Sequence, residues 1–140
     1  MIAPLRDDER GSVLPLVAGY AALGLAVILV AINALSLFVA QKRVDALADA
    51  AALAASDGFE IVAGDAGPSI RLDPATAARQ AQEVLDVAPG DAVLVGVDTA
   101  SESTARATVA AEWQPFLLGI AVPASVDLRA TSTSRAALAG

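Results

Sequence analysis

The chain lacks cysteine and histidine altogether, and Lys42 is its single lysine. These absences exclude disulfides, thiol nucleophiles, histidine-based triads and the usual zinc or haem ligand sets, so acidic oxygens are the only metal ligands left. No Gly-Lys-Ser/Thr phosphate loop occurs either. We therefore predict a protein that is not an enzyme and that takes no cofactor and no metal.

Aromatic residues are scarce and bases are outnumbered by acids. Of the 140 residues, 4% are aromatic and 56% hydrophobic, and 16 acids against 9 bases give a net charge of −7. An acidic chain without a basic stripe argues against nucleic acid as a partner. The apolar share exceeds that of ordinary soluble domains and fits a membrane segment joined to a small domain.

Charge is absent from residues 11–41, and residues 13–40 are almost entirely apolar. A helix rises ~1.5 Å per residue and a bilayer core is ~30 Å thick, so about 20 residues suffice to cross it. The alanine-rich run that follows continues the helix to about Asp57, and Gly58 ends it. The predicted divisions are a cytoplasmic leader over 1–11, a helix over 12–57 (membrane part about 13–40, alanine-rich stalk 41–57) and an α+β head over 58–140.

Gly19, Gly24 and Asn33 are the candidate helix-packing residues. The glycines and the alanines around them form small faces that another helix can approach closely. Asn33 has two interpretations: a hydrogen bond to backbone or a lipid headgroup, or one to a neighbouring helix. Charge leaves the orientation open, because bases both precede and follow the apolar segment.

The rest of the chain predicts one helix and three strands. Residues 58–72 are expected to form a loop, and Asp73-Pro74 caps a helix that ends at Pro89-Gly90. Polar and apolar residues alternate over 92–99, 104–113 and 125–134. The fold class is α+β: a long N-terminal transmembrane and stalk helix, then a small domain of one helix with a three-stranded antiparallel sheet on it.

Three further features have competing interpretations. The apolar segment 115–123 is either a connection folded over the sheet or helix, or an exposed contact for a partner subunit or a membrane. Asp57, Asp65 and Asp73 are interpreted as solvated loop acids rather than a calcium site, because their spacing matches no EF-hand. Trp113 is interpreted as a core or interfacial ring rather than a platform for a ligand.

Two segments carry a resemblance to a known family: Arg10-Gly11, and residues 41–56 with the letters QKRVDALADAAALAAS. A short charged leader ending in Arg-Gly, an apolar helix, a basic pair and an alanine-rich run occur in that order. The sequence in this region, roughly residues 9–57, resembles the TadE/TadG-like proteins of Tad (Flp) pilus systems, especially the short alanine-rich actinobacterial type.

The resemblance implies a pilin-like or pseudopilin-like subunit. A prepilin peptidase would cut between Gly11 and Ser12, the helix would anchor in the cell membrane as a single pass, and the C-terminal domain would lie outside. Implied partners are other pilin-like subunits, Tad membrane assembly proteins, the prepilin peptidase and membrane lipid. Leu16 stands where many type IV pilins carry a glutamate, so a minor or accessory role is implied.

Two other functions compete with this one. The first is a single-pass scaffold or adaptor that is not part of a pilus. The second is a conventional secreted protein, since Ala-x-Ala sites occur between residues 46 and 55. A signal-peptide apolar region runs ~7–15 residues, however, and the segment here is much longer.

Overall fold

The computed structural model describes residues 13–116, 119 and 124–136. Helix α1 spans Val13–Ser56 without interruption. After it come strands β1 (Phe59–Gly64) and β2 (Gly67–Leu72), helix α2 (Pro74–Val87), and strands β3 (Val93–Ser101), β4 (Thr104–Trp113) and β5 (Val126–Arg135). The α+β fold class, with its long apolar helix, second helix and three-stranded antiparallel sheet, is confirmed.

Strands β3, β4 and β5 form the antiparallel sheet in sequence order. β4 pairs with β5 along its whole length, from Thr104 opposite Arg135 to Trp113 opposite Val126. On β4, Ala105, Ala107 and Val109 are buried on one face while the intervening side chains point away. One face of the sheet is therefore covered and the other is open.

The covered face packs mainly against the C-terminal half of α1, whereas α2 contacts β3 and α1. This differs from the expectation of a sheet resting on the second helix. Eight of the thirteen buried apolar residues in the described part of the chain are alanines, so backbones approach closely. The buried apolar residues of α1 from Val44 onward belong to this core. The predicted alanine-rich stalk therefore shares its packing with the sheet and α2.

The expectation of a loop over residues 58–72 is wrong, because β1 and β2 pair there as an antiparallel hairpin. Gly64 and Gly67 face each other across the turn, and Gly67 has a φ of 108°, a conformation that glycine adopts without strain. Every residue of β1 is exposed. A strand without a buried face has no reason to alternate polar and apolar residues, which is why its pattern gave no signal.

Helix α2 begins and ends where the sequence predicts. The Asp73 carboxylate accepts hydrogen bonds from the backbone N–H of Thr76 at 3.0 Å and from its hydroxyl at 2.6 Å. Pro74 follows as the first helical residue. Ala77, Ala81 and Leu85 are buried, and Val84 is half-buried.

Gly58 lies where the end of α1 meets the start of α2. Its carbonyl accepts a hydrogen bond from the N–H of Asp73 at 3.0 Å. A Cβ atom added to Gly58 would lie 2.8 Å from the backbone nitrogen of Ala77 and 2.9 Å from its Cα. Glycine is thus required here by the closeness of the two helices.

Candidate membrane anchor and helix-packing site

The first half of α1 makes almost no contact with the rest of the described chain. Every residue over 13–32 is exposed except Leu29, which is half-buried. Large apolar side chains here are as open as Leu14, which is 75% exposed. The most apolar 18-residue window has a mean hydropathy of 2.5, and only 6% of it is buried. By length and composition α1 is able to cross a membrane, and its low burial distinguishes it from the core helix of a soluble domain.

Contact between α1 and the head begins at Asn33, which is 7% exposed. Its side-chain amide donates to the carbonyl of Leu29 at 2.8 Å, within the same helix. The amide oxygen is buried and has no partner in the described part of the chain. The exposed segment before Asn33 holds 20 residues, or ~30 Å of helix.

A hydrogen bond joins the end of the sheet to α1 one turn further on. The indole N–H of Trp113 donates to the hydroxyl of Ser36 at 3.2 Å, and the Trp113 side chain is half-buried. Leu37 and Ala40 pack against the hydrophobic core from the same region of the helix. The Trp113 ring therefore lies where the head contacts the apolar segment of α1. This position agrees with its interpretation as a core or interfacial residue.

Two more contacts fix the direction of the sheet along α1. The side-chain amide of Gln41 donates to the carbonyl of Arg129 at 3.4 Å, near the start of β5. The hydroxyl of Ser134, near the end of β5, donates to that of Ser56 at 3.1 Å. β5 thus runs along α1 in the same direction. We call the end of the head at Trp113 and Ser36 the proximal end, and the end at Ser56 and Ser134 the distal end.

The three candidate packing residues do not form one surface. Gly19 and Gly24 are exposed, and a Cβ atom added to either meets nothing within 4 Å. At ~100° per residue, Gly24 lies about 180° around the helix from Asn33. Asn33 faces the head. Its side-chain amide donates to the carbonyl of Leu29, which agrees with the interpretation of a hydrogen bond to backbone. The candidate processing residues Gly11 and Ser12 lie outside the described residues.

The apolar connection between β4 and β5 is described only in part. Pro115 is buried, Phe116 is 80% exposed, and the N–H of Gly119 donates to the carbonyl of Pro115 at 2.9 Å. Residues 117, 118 and 120–123, on which the two interpretations of this segment depend, lie outside the described residues. Phe116 nevertheless presents a large apolar side chain at the proximal end.

The loop acids do not gather into a metal site. Within the described residues, no group of three or more acidic side chains is placed to hold a metal ion. Asp73 is engaged as the α2 cap instead, and hydrogen bonds from the side chain and then the backbone of Thr76 lower the pKa of its carboxyl below 3.8. That hydrogen bonding favours the ionised form of the cap.

Sequence reasoning missed the contact between Trp113 and Ser36. Its signal was present, because Asn33, Ser36, Ala40 and Val44 recur at spacings of three and four and so share one face of α1. Polar residues within an apolar run mark the face that turns away from lipid. Ala40 and Val44 are small and apolar, so they do not mark this face of α1 as clearly as Asn33 and Ser36 do.

Comparisons with known protein families, with curated proteins and with solved structures find no match. The class that the structure defines is an α+β head built on the second half of one long apolar helix. Function is therefore inferred from this geometry and from the motifs at the two ends of the apolar segment.

Proposed function

We propose that the chain is a pilin-like minor subunit or assembly component of a Tad (Flp-type) pilus or secretion system. The observation that carries this proposal is the division of α1: residues 13–32 are apolar and exposed, and the same helix continues without a break into the head core. A helix that is both anchor and core holds the head at a fixed place relative to the bilayer. The resemblance around Arg10-Gly11 and residues 41–56 supplies the Tad assignment.

The protein acts through contacts rather than chemistry. Its α1 anchor crosses the cell membrane once, with the head outside, and packs beside other pilin-like subunits and Tad membrane assembly proteins. Gly19 and Gly24 offer open small-residue positions for such packing. The prepilin peptidase cuts after Gly11. The acidic chain has no part in nucleic-acid binding.

The secreted-protein alternative conflicts with the packing of α1. A cut at an Ala-x-Ala site between residues 46 and 55 would divide the helix within the head. Val44 and Ala48 lie in the core, and Ala51 and Ala52 are fully buried. Such cleavage would remove part of the core that the remaining strands need, because burial of apolar area is the main stabilising contribution in a small domain.

The scaffold alternative uses the same anchor, so processing must separate the two. The test is the N-terminal residue and intact mass of the protein from membrane and sheared-surface fractions of its host. A chain that starts at Ser12 supports pilin-type processing, and its presence in the sheared fraction supports a pilus subunit. A full-length chain confined to membranes would contradict the proposal and favour the scaffold.

A matched pair of variants sharpens this experiment. Gly11→Leu is expected to leave the chain uncut, because a large side chain blocks a site shaped for glycine. Gly24→Leu, in the exposed part of α1, is the control and should be processed as the unchanged chain is. Equal processing of both variants would contradict a cut after Gly11.

A further inference from the structure

We propose that the proximal end of the head, at Trp113 and Phe116, lies in the outer headgroup layer of the bilayer that α1 crosses. This inference rests on the membrane anchoring in the proposed function and adds a second lipid contact to it. It assigns one occupant to an exposed apolar end, namely lipid. The alternative occupant, a neighbouring protein, is an outcome of the test below.

The distance along α1 places the proximal end just beyond the hydrocarbon core. Residues 13–32 supply ~30 Å of exposed apolar helix, which matches the hydrocarbon core of a bilayer. Ser36 lies four residues beyond this segment, or ~6 Å along the axis. The headgroup layer on each side is about 5–7 Å thick. Trp113 hydrogen-bonds to Ser36 at 3.2 Å, so its indole reaches the headgroup layer.

The side chains at the proximal end suit a membrane interface. Tryptophan is enriched at membrane interfaces because its ring is apolar while its N–H needs a polar partner. Phe116, 80% exposed, adds a large apolar side chain beside the same strand end. The sequence carries no charge between Glu112 and Asp127. Lipid contact removes the cost of exposing Phe116 to water.

Two acidic side chains limit the depth to which the proximal end enters the bilayer. Glu112 and Asp127 face each other across β4 and β5 and are exposed, one residue further from the proximal end than Trp113 and Val126. One strand residue is ~3.3 Å. Ionised carboxylates are strongly disfavoured in hydrocarbon, so these two side chains must stay on the aqueous side. The proximal end therefore enters the headgroup layer and goes no deeper.

This placement revises the expected membrane part over residues 13–40. If α1 were embedded as far as Ala40, the end of the sheet would lie ~12 Å deeper than a span ending at residue 32. The backbone groups at the ends of β4 and β5 would then enter hydrocarbon, where unpaired polar groups are costly. A span over 13–32 keeps the apolar side chains of that segment in lipid and the sheet outside the hydrocarbon. The exposed Leu35 then lies at the headgroup level of Trp113, and the exposed Phe38 and Val39 lie beyond it.

The experiment uses the full chain reconstituted in lipid vesicles, because Trp113 is its only tryptophan and serves as the probe. Fluorescence is measured with lipids brominated near the glycerol end or the methyl end of the acyl chains, and with aqueous iodide. We expect the largest loss of intensity with bromine near the glycerol end and a small loss with iodide. The control is the double variant Trp113→Phe, Phe59→Trp, which moves the tryptophan to the distal hairpin and should lose lipid quenching and gain iodide quenching.

Each other outcome overturns the inference in a distinct way. Stronger quenching by bromine near the methyl end would support the longer span over 13–40. Strong iodide quenching without lipid quenching would place the head in water, and protection from both quenchers would indicate a protein contact. Phe116→Ser should increase iodide access to Trp113. Vesicle flotation tests the anchor separately, since a chain that fails to float contradicts the proposed function itself.

Discussion

Along α1, side-chain size and burial run in opposite directions. Residues 13–32 carry leucine, valine and isoleucine side chains that are exposed, whereas residues 44–56 are mostly alanines, of which four are buried at 0–1% exposure. In a soluble domain, the large apolar residues would form the core and the alanines would be the more tolerant positions. The two halves of α1 therefore suit different surroundings. The first presents a large apolar surface, and the second has small side chains that let the backbones of the head approach closely.

The strongest way to test this comparison is to place a charge in the alanine half. Ala51→Glu introduces a carboxylate at a position that is fully buried. We expect a loss on the order of 3–5 kcal/mol in the free energy of unfolding, which is the usual cost of an uncompensated buried charge. Urea unfolding in detergent micelles, followed by Trp113 fluorescence, measures it.

The control is Ala50→Glu, one residue earlier on the exposed side of the same helix. Its unfolding midpoint should stay within the error of the unchanged chain. Equal losses in the two variants would mean that α1 does not present a single face to the head.

A second test compares glycines in the two regions. Gly58→Ala places a Cβ within 3 Å of the backbone of Ala77, so the two helices must separate. We expect a loss of about 1–3 kcal/mol, typical of overpacking. Gly24→Ala meets no atom within 4 Å and should leave the head as stable as before. The same urea titration compares them, and a stable Gly58→Ala variant would contradict the close approach.

The smallest expected effect is the pH dependence of the α2 cap. Because the folded state lowers the pKa of the Asp73 carboxyl below 3.8, its contribution is complete above the unfolded-state pKa and is lost as the pH falls through the folded-state value. Asp73→Asn keeps a capping side chain without the charge. The stability advantage of the unchanged chain over this variant should shrink from pH 6 to pH 3, as followed by thermal unfolding. A constant difference over that range would contradict the role of ionisation.

Helices and strands whose ends carry a local sequence signal were predictable from the sequence. The bounds of α2 follow from Asp73-Pro74 and Pro89-Gly90, and those of β4 from the alternation of polar and apolar residues, which is interrupted at Ala110 and ends at Trp113. These signals are local, so they survive whatever the tertiary contacts are. The hairpin was missed for the opposite reason, since every residue of β1 is exposed and burial imposes no alternation on that strand.

The position of the head along α1 was not predictable from hydropathy. Ser36, Leu37 and Ala40 lie in a run that reads as one membrane segment, yet they contact the sheet. Hydropathy reports the character of a side chain and not which neighbour removes it from water. Two polar residues in this run, Asn33 and Ser36, indicated the face of α1 that contacts the head. They could be interpreted only once the position of Trp113 was known.

The unbroken course of α1 also gives the molecule a mechanical property. The sequence has no proline between Pro15 and Pro68, and α1 runs through to Ser56 as one helix. Residues 33–56 extend ~36 Å beyond the exposed segment. A tilt of ~20°, common for helices in bilayers, would carry the distal end about 12 Å sideways. Under the proposed function, the helix is a lever that converts a small reorientation within the membrane into a large displacement at the tip of the head.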